Sequence, residues 1–105
     1  MAEDVELTLV TLSFDAGTKV QELAGVLARY VVLSRGEQGC RNIDLCRSQT
    51  RPGRFLIVEK WGSADAARAH LDSGAMVDMA KACRSLLDHK PEIDLFDSVS
   101  AHDLA

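Results

Sequence analysis

Residues 39–61 read GCRNIDLCRSQTRPGRFLIVEKW, two β-rich runs joined by a segment containing Pro52-Gly53. A run of strand formers, a Pro-Gly turn signal and a second run specify a β-hairpin. In the second run, Arg54 to Trp61, the residues Phe55, Ile57, Glu59 and Trp61 share one face, and Leu56, Val58 and Lys60 share the other. In the first run, Gly39 to Ser48, Arg41, Ile43 and Leu45 oppose Cys40, Asn42, Asp44 and Cys46. Upstream, Val5 to Phe14 (VELTLVTLSF) is apolar on both parities, so it is expected to be covered on both faces. Asp15-Ala16-Gly17 ends that strand, and Thr18-Lys19-Val20-Gln21 has the form of a capping box. The helix it would open carries Val20, Leu23, Ala24, Leu27, Tyr30 and Val31 on one stripe and closes at Arg35-Gly36.

Downstream of the hairpin, Ser63 is the expected N-cap of a helix from Ala64 to Asp72, interrupted by Ser73-Gly74. A second helical piece places Met76, Met79, Ala80, Cys83, Leu86 and Leu87 on one stripe. Asp88 to Pro91 ends it, and Glu92 to Ser98 is a final, acidic and exposed strand. The order β-α-β-β-α-β predicts an α+β, ferredoxin-like, split β-α-β fold: a four-stranded antiparallel sheet with the helices on one face. The opposite face would stay bare although several strands are apolar on both sides. A second copy facing it would cover it, so a homodimer is expected.

Composition narrows the rest. At 105 residues the chain is one domain, 1–105, with 47% hydrophobic and 27% charged residues, a globular mixture. The balance of 12 Lys and Arg against 16 Asp and Glu, net −4, argues against nucleic acid as a partner. No apolar run is long enough to span a bilayer, and Met1-Ala2-Glu3-Asp4 lacks signal-peptide character. Cys40, Cys46 and Cys83 form no CxxC pair, and His70, His89 and His102 are scattered, so no metal site is expected. The thiols fit a reducing, cytoplasmic setting. No Gly-rich dinucleotide motif is present, and no cofactor is implied.

Several residues draw attention by chemistry and register. His70 shares the apolar register of Ala67 and Leu71, so it is either a core histidine bonded to a neighbour or a general base in a pocket. Glu59 lies among Phe55, Ile57 and Trp61, where a carboxylate needs a partner. It is expected either to close a strand end through a basic side chain such as Arg41 or to orient His70. Trp61 is core or a stacking wall for a flat ligand, and Tyr30 packs or reaches a ligand with its hydroxyl. Asn42 is a pocket polar group or part of a solvated edge, and Met76 and Met79 are core or ligand wall. Arg41, Arg47, Arg51, Arg54 and Lys60 cluster on the hairpin, where solvation or a dimer contact accounts for them better than an anion site.

The segment Ser34-Arg35-Gly36-Glu37-Gln38-Gly39-Cys40, with Asp44, Arg54-Phe55, Glu59-Lys60-Trp61 and Ala67-Arg68-Ala69-His70, resembles the antibiotic biosynthesis monooxygenase (ABM) domain family. The resemblance implies ferredoxin-like protomers paired as a dimeric α+β barrel. It also implies a cofactor-independent monooxygenase acting with molecular oxygen on an aromatic phenol or quinol. His70 would be base or donor, Glu59 its orienter, and Trp61, Tyr30, Asn42, Met76 and Met79 the substrate-binding set. The chain departs from many relatives at Ser73-Gly74-Ala75, where they carry a second histidine. Haem-degrading relatives use an Asn, a Trp and an axial His where this chain has Val10, His70 and Ala80, so haem degradation is not implied. The alternative is a small-molecule-binding dimer or a non-oxidative, isomerase-like enzyme on the same scaffold.

Overall fold

The computed structural model describes residues 6–100. The reading of the N-terminus, Val5, His102 and the last residues of the tail lie outside them. The elements run β1 (Thr8–Asp15), α1 (Val20–Ser34), β2 (Cys40–Arg47), β3 (Arg54–Trp61), α2 (Ala64–Leu71), α3 (Gly74–Cys83) and β4 (Glu92–Asp97). The strands form one sheet in the order β2-β3-β1-β4, every neighbouring pair antiparallel. This is the expected ferredoxin-like arrangement, with the helices on the face that carries Val10, Leu12, Phe14, Ile43, Phe55 and Ile57. No helix among the described residues is long and apolar enough to cross a membrane.

Strict alternation positions the core. On β3, Phe55, Ile57, Glu59 and Trp61 are buried, while Leu56, Val58 and Lys60 point to the other side. Burying one large apolar side chain of this kind contributes roughly 1.5–3 kcal/mol. The ladder carries the same parity onto the neighbours, pairing Val10 and Ile43 with Glu59 and Leu12 and Leu45 with Ile57. The helix-free face follows the other parity: Leu9 pairs with Lys60 and Phe96, Val58 with Thr11 and Asp44, and Leu56 with Ser13 and Cys46. Its Leu56 is 36% and its Phe96 46% exposed, so that face holds apolar side chains with no cover from this chain.

Four local expectations are corrected. The capping box does not form, because α1 starts at Val20 with Lys19 at the N-cap and no side-chain cap bond. Thr18 therefore stands one residue too early to cap. A bulge between Cys40 and Asn42 puts Cys40 opposite Trp61, on the helix side. Cys40 thereby leaves the face of Asn42, Asp44 and Cys46, because one extra residue inverts the alternation. Helix α3 ends at Cys83, so Leu86 and Leu87 leave its stripe, Leu87 forming an isolated bridge to Ala16, and Ala80 is exposed. The first strand begins at Thr8, three residues later than its apolar pattern suggests.

The loop from α1 to β2 is built to hold a fixed shape. Glu37 N–H donates to Ser34 O at 3.1 Å and Cys40 N–H to Glu37 O at 3.2 Å. Arg35 reaches across to Ile43 O with Nε at 3.2 Å and Nη2 at 2.8 Å. Gly39 completes the turn at φ +85°, a left-handed conformation that other residues adopt at a cost. A Cβ there would lie 2.5 Å from the Ala66 Cβ, on the helix that follows β3. Gly39→Ala is therefore expected to lower unfolding free energy by about 1–3 kcal/mol, read by urea titration. An unchanged midpoint would show that this loop yields freely.

Candidate functional site

The site grows from Glu59. Its position on β3 dictates that the carboxylate points into the core, and it is fully buried. A buried carboxylate is costly unless several donors reach it. Tyr30 on α1 donates its hydroxyl to Oε2 at 2.5 Å, and Trp61, two residues along the same strand face, donates Nε1–H to Oε1 at 3.0 Å. His70 Nε2 stands 3.4 Å from Oε1 as its ion-pair partner. Glu59 thus takes its bonds from two neutral donors and a histidine.

His70 is held on all sides. It shares the buried face of α2 with Ala67, and Ser63 caps that helix by accepting from Ala66 N–H at 3.1 Å. Its ring stacks on Trp61 with centroids 4.5 Å apart and planes inclined by 26°, and Tyr30 lies tilted beside it at 5.6 Å. Nε2 is 2.5 Å from the Tyr30 hydroxyl, and Nδ1 is 3.0 Å from each Glu37 oxygen. Glu37 side-chain exposure is 27%, against none for His70 and Glu59, so Glu37 is the acid that links the group to solvent.

Proton counting assigns the charge. The Tyr30 hydroxyl has one proton, which goes to Glu59, so the bond between Tyr30 and His70 needs a proton from Nε2. Nδ1 faces a carboxylate and also donates, which makes the ring an imidazolium. Burial by itself drives the His70 pKa down, but its bonds to Glu59 and Glu37 and their negative charge override this, and the net direction is upward. The Tyr30 hydroxyl is pushed up, first by burial and then by the Glu59 charge, so it stays a donor. Burial, followed by Glu59 and Glu37, raises the Cys40 thiol. Burial pushes the Cys83 thiol up to about 11. Neither thiol is poised as a thiolate nucleophile.

Of the residues singled out in the sequence, His70, Glu59, Trp61 and Tyr30 come together in this one group. Asn42 does not join them. It is exposed on the opposite face of the sheet, where its Nδ2 donates to Asp44 at 3.0 Å. Met76 and Met79 are buried on α3 and wall a cleft of about 280 Å³ between α3 and β4, together with Leu12, Phe14 and Ile93. Met79 and Tyr30 also line a groove of about 250 Å³ between α1 and α3. Neither of these linings includes His70 or Glu59, so Tyr30 is the member of the polar group that meets one of these hollows. Glu37 was not among the expected site residues. Its one signal was membership of the Ser34–Cys40 segment, since a loop residue has no periodicity to mark where it points. Among the described residues no three or more His, Cys, Asp or Glu side chains are grouped as a metal ion would require.

The family model described as antibiotic biosynthesis monooxygenase matches residues 9–82. Among solved structures, the chain is similar to SnoaB, a cofactor-independent oxygenase from Streptomyces nogalater. The two are 24% identical with a TM-score of 0.78, over 91% of this chain and 95% of that one. It is similar to a Deinococcus radiodurans protein provisionally described as an antibiotic biosynthesis monooxygenase, at 21% identity and TM-score 0.84, over 93% and 98% of the two chains. A Nitrosomonas europaea protein of unknown function gives TM-score 0.84 at 18% identity, over 94% and 95%. At these identities the likenesses carry the fold alone. No curated protein matches the chain.

The raised His70 pKa links the site to stability. Stabilisation from the imidazolium is complete below the ordinary value near 6.5 and is lost as pH rises through the raised folded-state value. The difference in unfolding free energy between the wild type and His70→Gln is therefore expected to shrink from pH 6 towards pH 9. Parallel curves across that window would show that His70 does not carry the charge assigned to it.

Proposed function

The chain belongs to the antibiotic biosynthesis monooxygenase family, and from that premise we propose that it is a cofactor-independent monooxygenase of an electron-rich aromatic phenol or quinol. The observation that carries the reading is the buried group of Glu37, His70, Tyr30, Glu59 and Trp61, of which Tyr30 lines the α1–α3 groove. The similarity to SnoaB, itself described as a cofactor-independent oxygenase, supports it.

The chemistry asks little of a protein. A phenol gives up its proton, the phenolate passes an electron to oxygen, and the two radicals combine at an activated carbon. The peroxide takes up a proton and, with the hydrogen of that carbon, loses water, which leaves one oxygen atom in the product and draws all electrons from the substrate. The protein must accept the first proton and keep the anion away from bulk water. In this reading the α3–β4 cleft is the substrate pocket, walled by Met76 and Met79, and Met79, which also lines the α1–α3 groove beside Tyr30, is the wall between the ring and the polar group. His70 takes the proton through the Tyr30 hydroxyl and gives it back to the peroxide, Glu59 and Trp61 hold the geometry, and Glu37 lets the ring exchange its proton with solvent between turnovers. The working unit in this proposal is a cytoplasmic homodimer in which two helix-free sheet faces meet, an assignment supported by the exposed Leu56 and Phe96. Its partners are the small-molecule substrate and oxygen.

A second reading has its own observation: His70 and Glu59 are fully enclosed. A binding dimer, or a non-oxidative enzyme on the same scaffold, would use them only to fix the core.

Oxygen uptake with an electron-rich phenol is expected to be insensitive to chelators and about a hundredfold slower in His70→Ala. The rate should rise with pH through a midpoint above the ordinary histidine value, because the neutral ring is the acceptor. Glu37→Gln removes one cause of the raised pKa and should move the midpoint down. An unchanged rate in His70→Ala removes histidine from the mechanism, and phenol binding without oxygen uptake selects the second reading. For assembly, native mass spectrometry is expected to give twice the 11.4 kDa chain mass, and Leu56→Asp with Phe96→Asp should give one chain mass. A wild-type monomer at micromolar concentration would overturn the pairing.

A further inference from the structure

The α3–β4 cleft is apolar inside, with two cations, Arg84 and Lys90, at its rim. Its walls include Phe14, Met76, Met79 and Ile93, while the connection from α3 to β4 contributes Arg84, His89 and Lys90. Among the described residues no Asp or Glu lines it. Of the acids near the rim, Asp88 and Glu92 stand outside the lining, and Asp15 is already engaged, with Arg54 Nη1 at 2.9 Å and His89 Nε2 at 3.1 Å. Arg84 and Lys90 take part in no ion pair among the described residues. The chain as a whole is acidic at net −4, so a rim with Arg84 and Lys90 and no acid in the lining runs against the average surface.

The rim is also held in place. Gly17 N–H donates to Leu86 O at 3.3 Å, and Asp88 N–H to Asp15 O at 3.0 Å. An isolated bridge joins Ala16 to Leu87 between those two bonds. The connection is thereby stitched to the end of β1, and the cations sit on a fixed frame. Inside, Ile93 faces the cleft because it pairs with the buried Leu12.

We propose that the cleft selects an aromatic phenol bearing an acidic group, a carboxylate held by Arg84 and Lys90 while the ring lies between Met76, Met79 and Ile93. This rests on reading the cleft as the substrate pocket. An anion is the complement of such a rim, and a planar apolar body is the complement of thioether and aliphatic walls. A volume of about 280 Å³ has room for a system of two or three fused rings. The charged group stays at the mouth, where Arg84 and Lys90 keep part of their hydration, and the phenol end is the one that points inward.

The test compares two probes that differ only in the acid: 6-hydroxy-2-naphthoate and 2-naphthol, titrated into the intact protein by calorimetry. The expected result is about tenfold tighter binding of the naphthoate, as one or two charge-assisted bonds would give. That advantage should vanish in Arg84→Gln/Lys90→Gln, with 2-naphthol unaffected. Ile93→Trp, which fills the cleft from the exposed edge strand, should weaken both probes, and circular dichroism checks that each variant is folded. Equal affinities in the wild type, both lost in Ile93→Trp, would keep the cleft as the binding site and overturn the acid preference. A preference that survives in the double variant would place the anion elsewhere and also overturn it. Absence of binding by either probe would remove the cleft reading itself, and the preference with it.

Discussion

Glu59 is the constraint on which the rest of this protein depends. A carboxylate with no exposure, at the centre of a sheet, has to be met by donors from several directions. Tyr30 comes from α1, Trp61 from β3 and His70 from α2, so the two helices and the strand must hold one relative placement for the bonds to form. Removing one donor would leave a buried acceptor short of a partner, at about 1–3 kcal/mol. An apolar side chain of similar shape would remove that liability and could stabilise the fold. The group therefore fixes the relative placement of α1, α2 and β3 more than it adds to stability.

Two acids flank one imidazole, and the more exposed acid, Glu37, lies on the side away from the deeply buried one. A proton arriving at Glu37 has a continuous path through His70 Nδ1 and Nε2 to the Tyr30 hydroxyl, each step a hydrogen bond. The raised His70 pKa favours the occupied state of that path at neutral pH. Under the proposed function, accepting a proton from a ligand requires that one leave first, and the exposed end at Glu37 is the route for it.

Most of this was legible in the sequence, for reasons that differ from residue to residue. Strand β3 could be bounded at Arg54 and Trp61 because its period-2 pattern is uninterrupted. Glu59 and His70 stood out because each places a polar group in an apolar register, and Tyr30 because it ends an apolar helical stripe. What stayed hidden depends on three-dimensional closure. The bulge that turns Cys40 inward is an extra residue with no mark in composition, and Asn42 kept its place on the open face. Glu37 meets a ring 33 residues away, a distance that periodicity does not span. Thr18 has the right chemistry for a cap, and a one-residue shift in where α1 begins disables it.

The alternation of β3 also divides the molecule's tasks. Its odd-numbered residues, Phe55, Ile57, Glu59 and Trp61, build the enclosed side with its polar group, and its even-numbered residues, Leu56, Val58 and Lys60, belong to the open side. The same parity passes along the ladder to β1, where Val10 and Leu12 face the core while Leu9, Thr11 and Ser13 face out. A strand can therefore change its outer parity without touching the donors around Glu59, since the two sets of side chains are separated by the backbone plane. The bulge at Arg41 is the exception. It borrows a residue from the outer series at the edge of the sheet and turns Cys40 towards Trp61, at the end of the strand that carries Glu59. Chemistry and surface can thus vary separately over most of the sheet, and the edge at β2 is where a change made for one would be felt by the other.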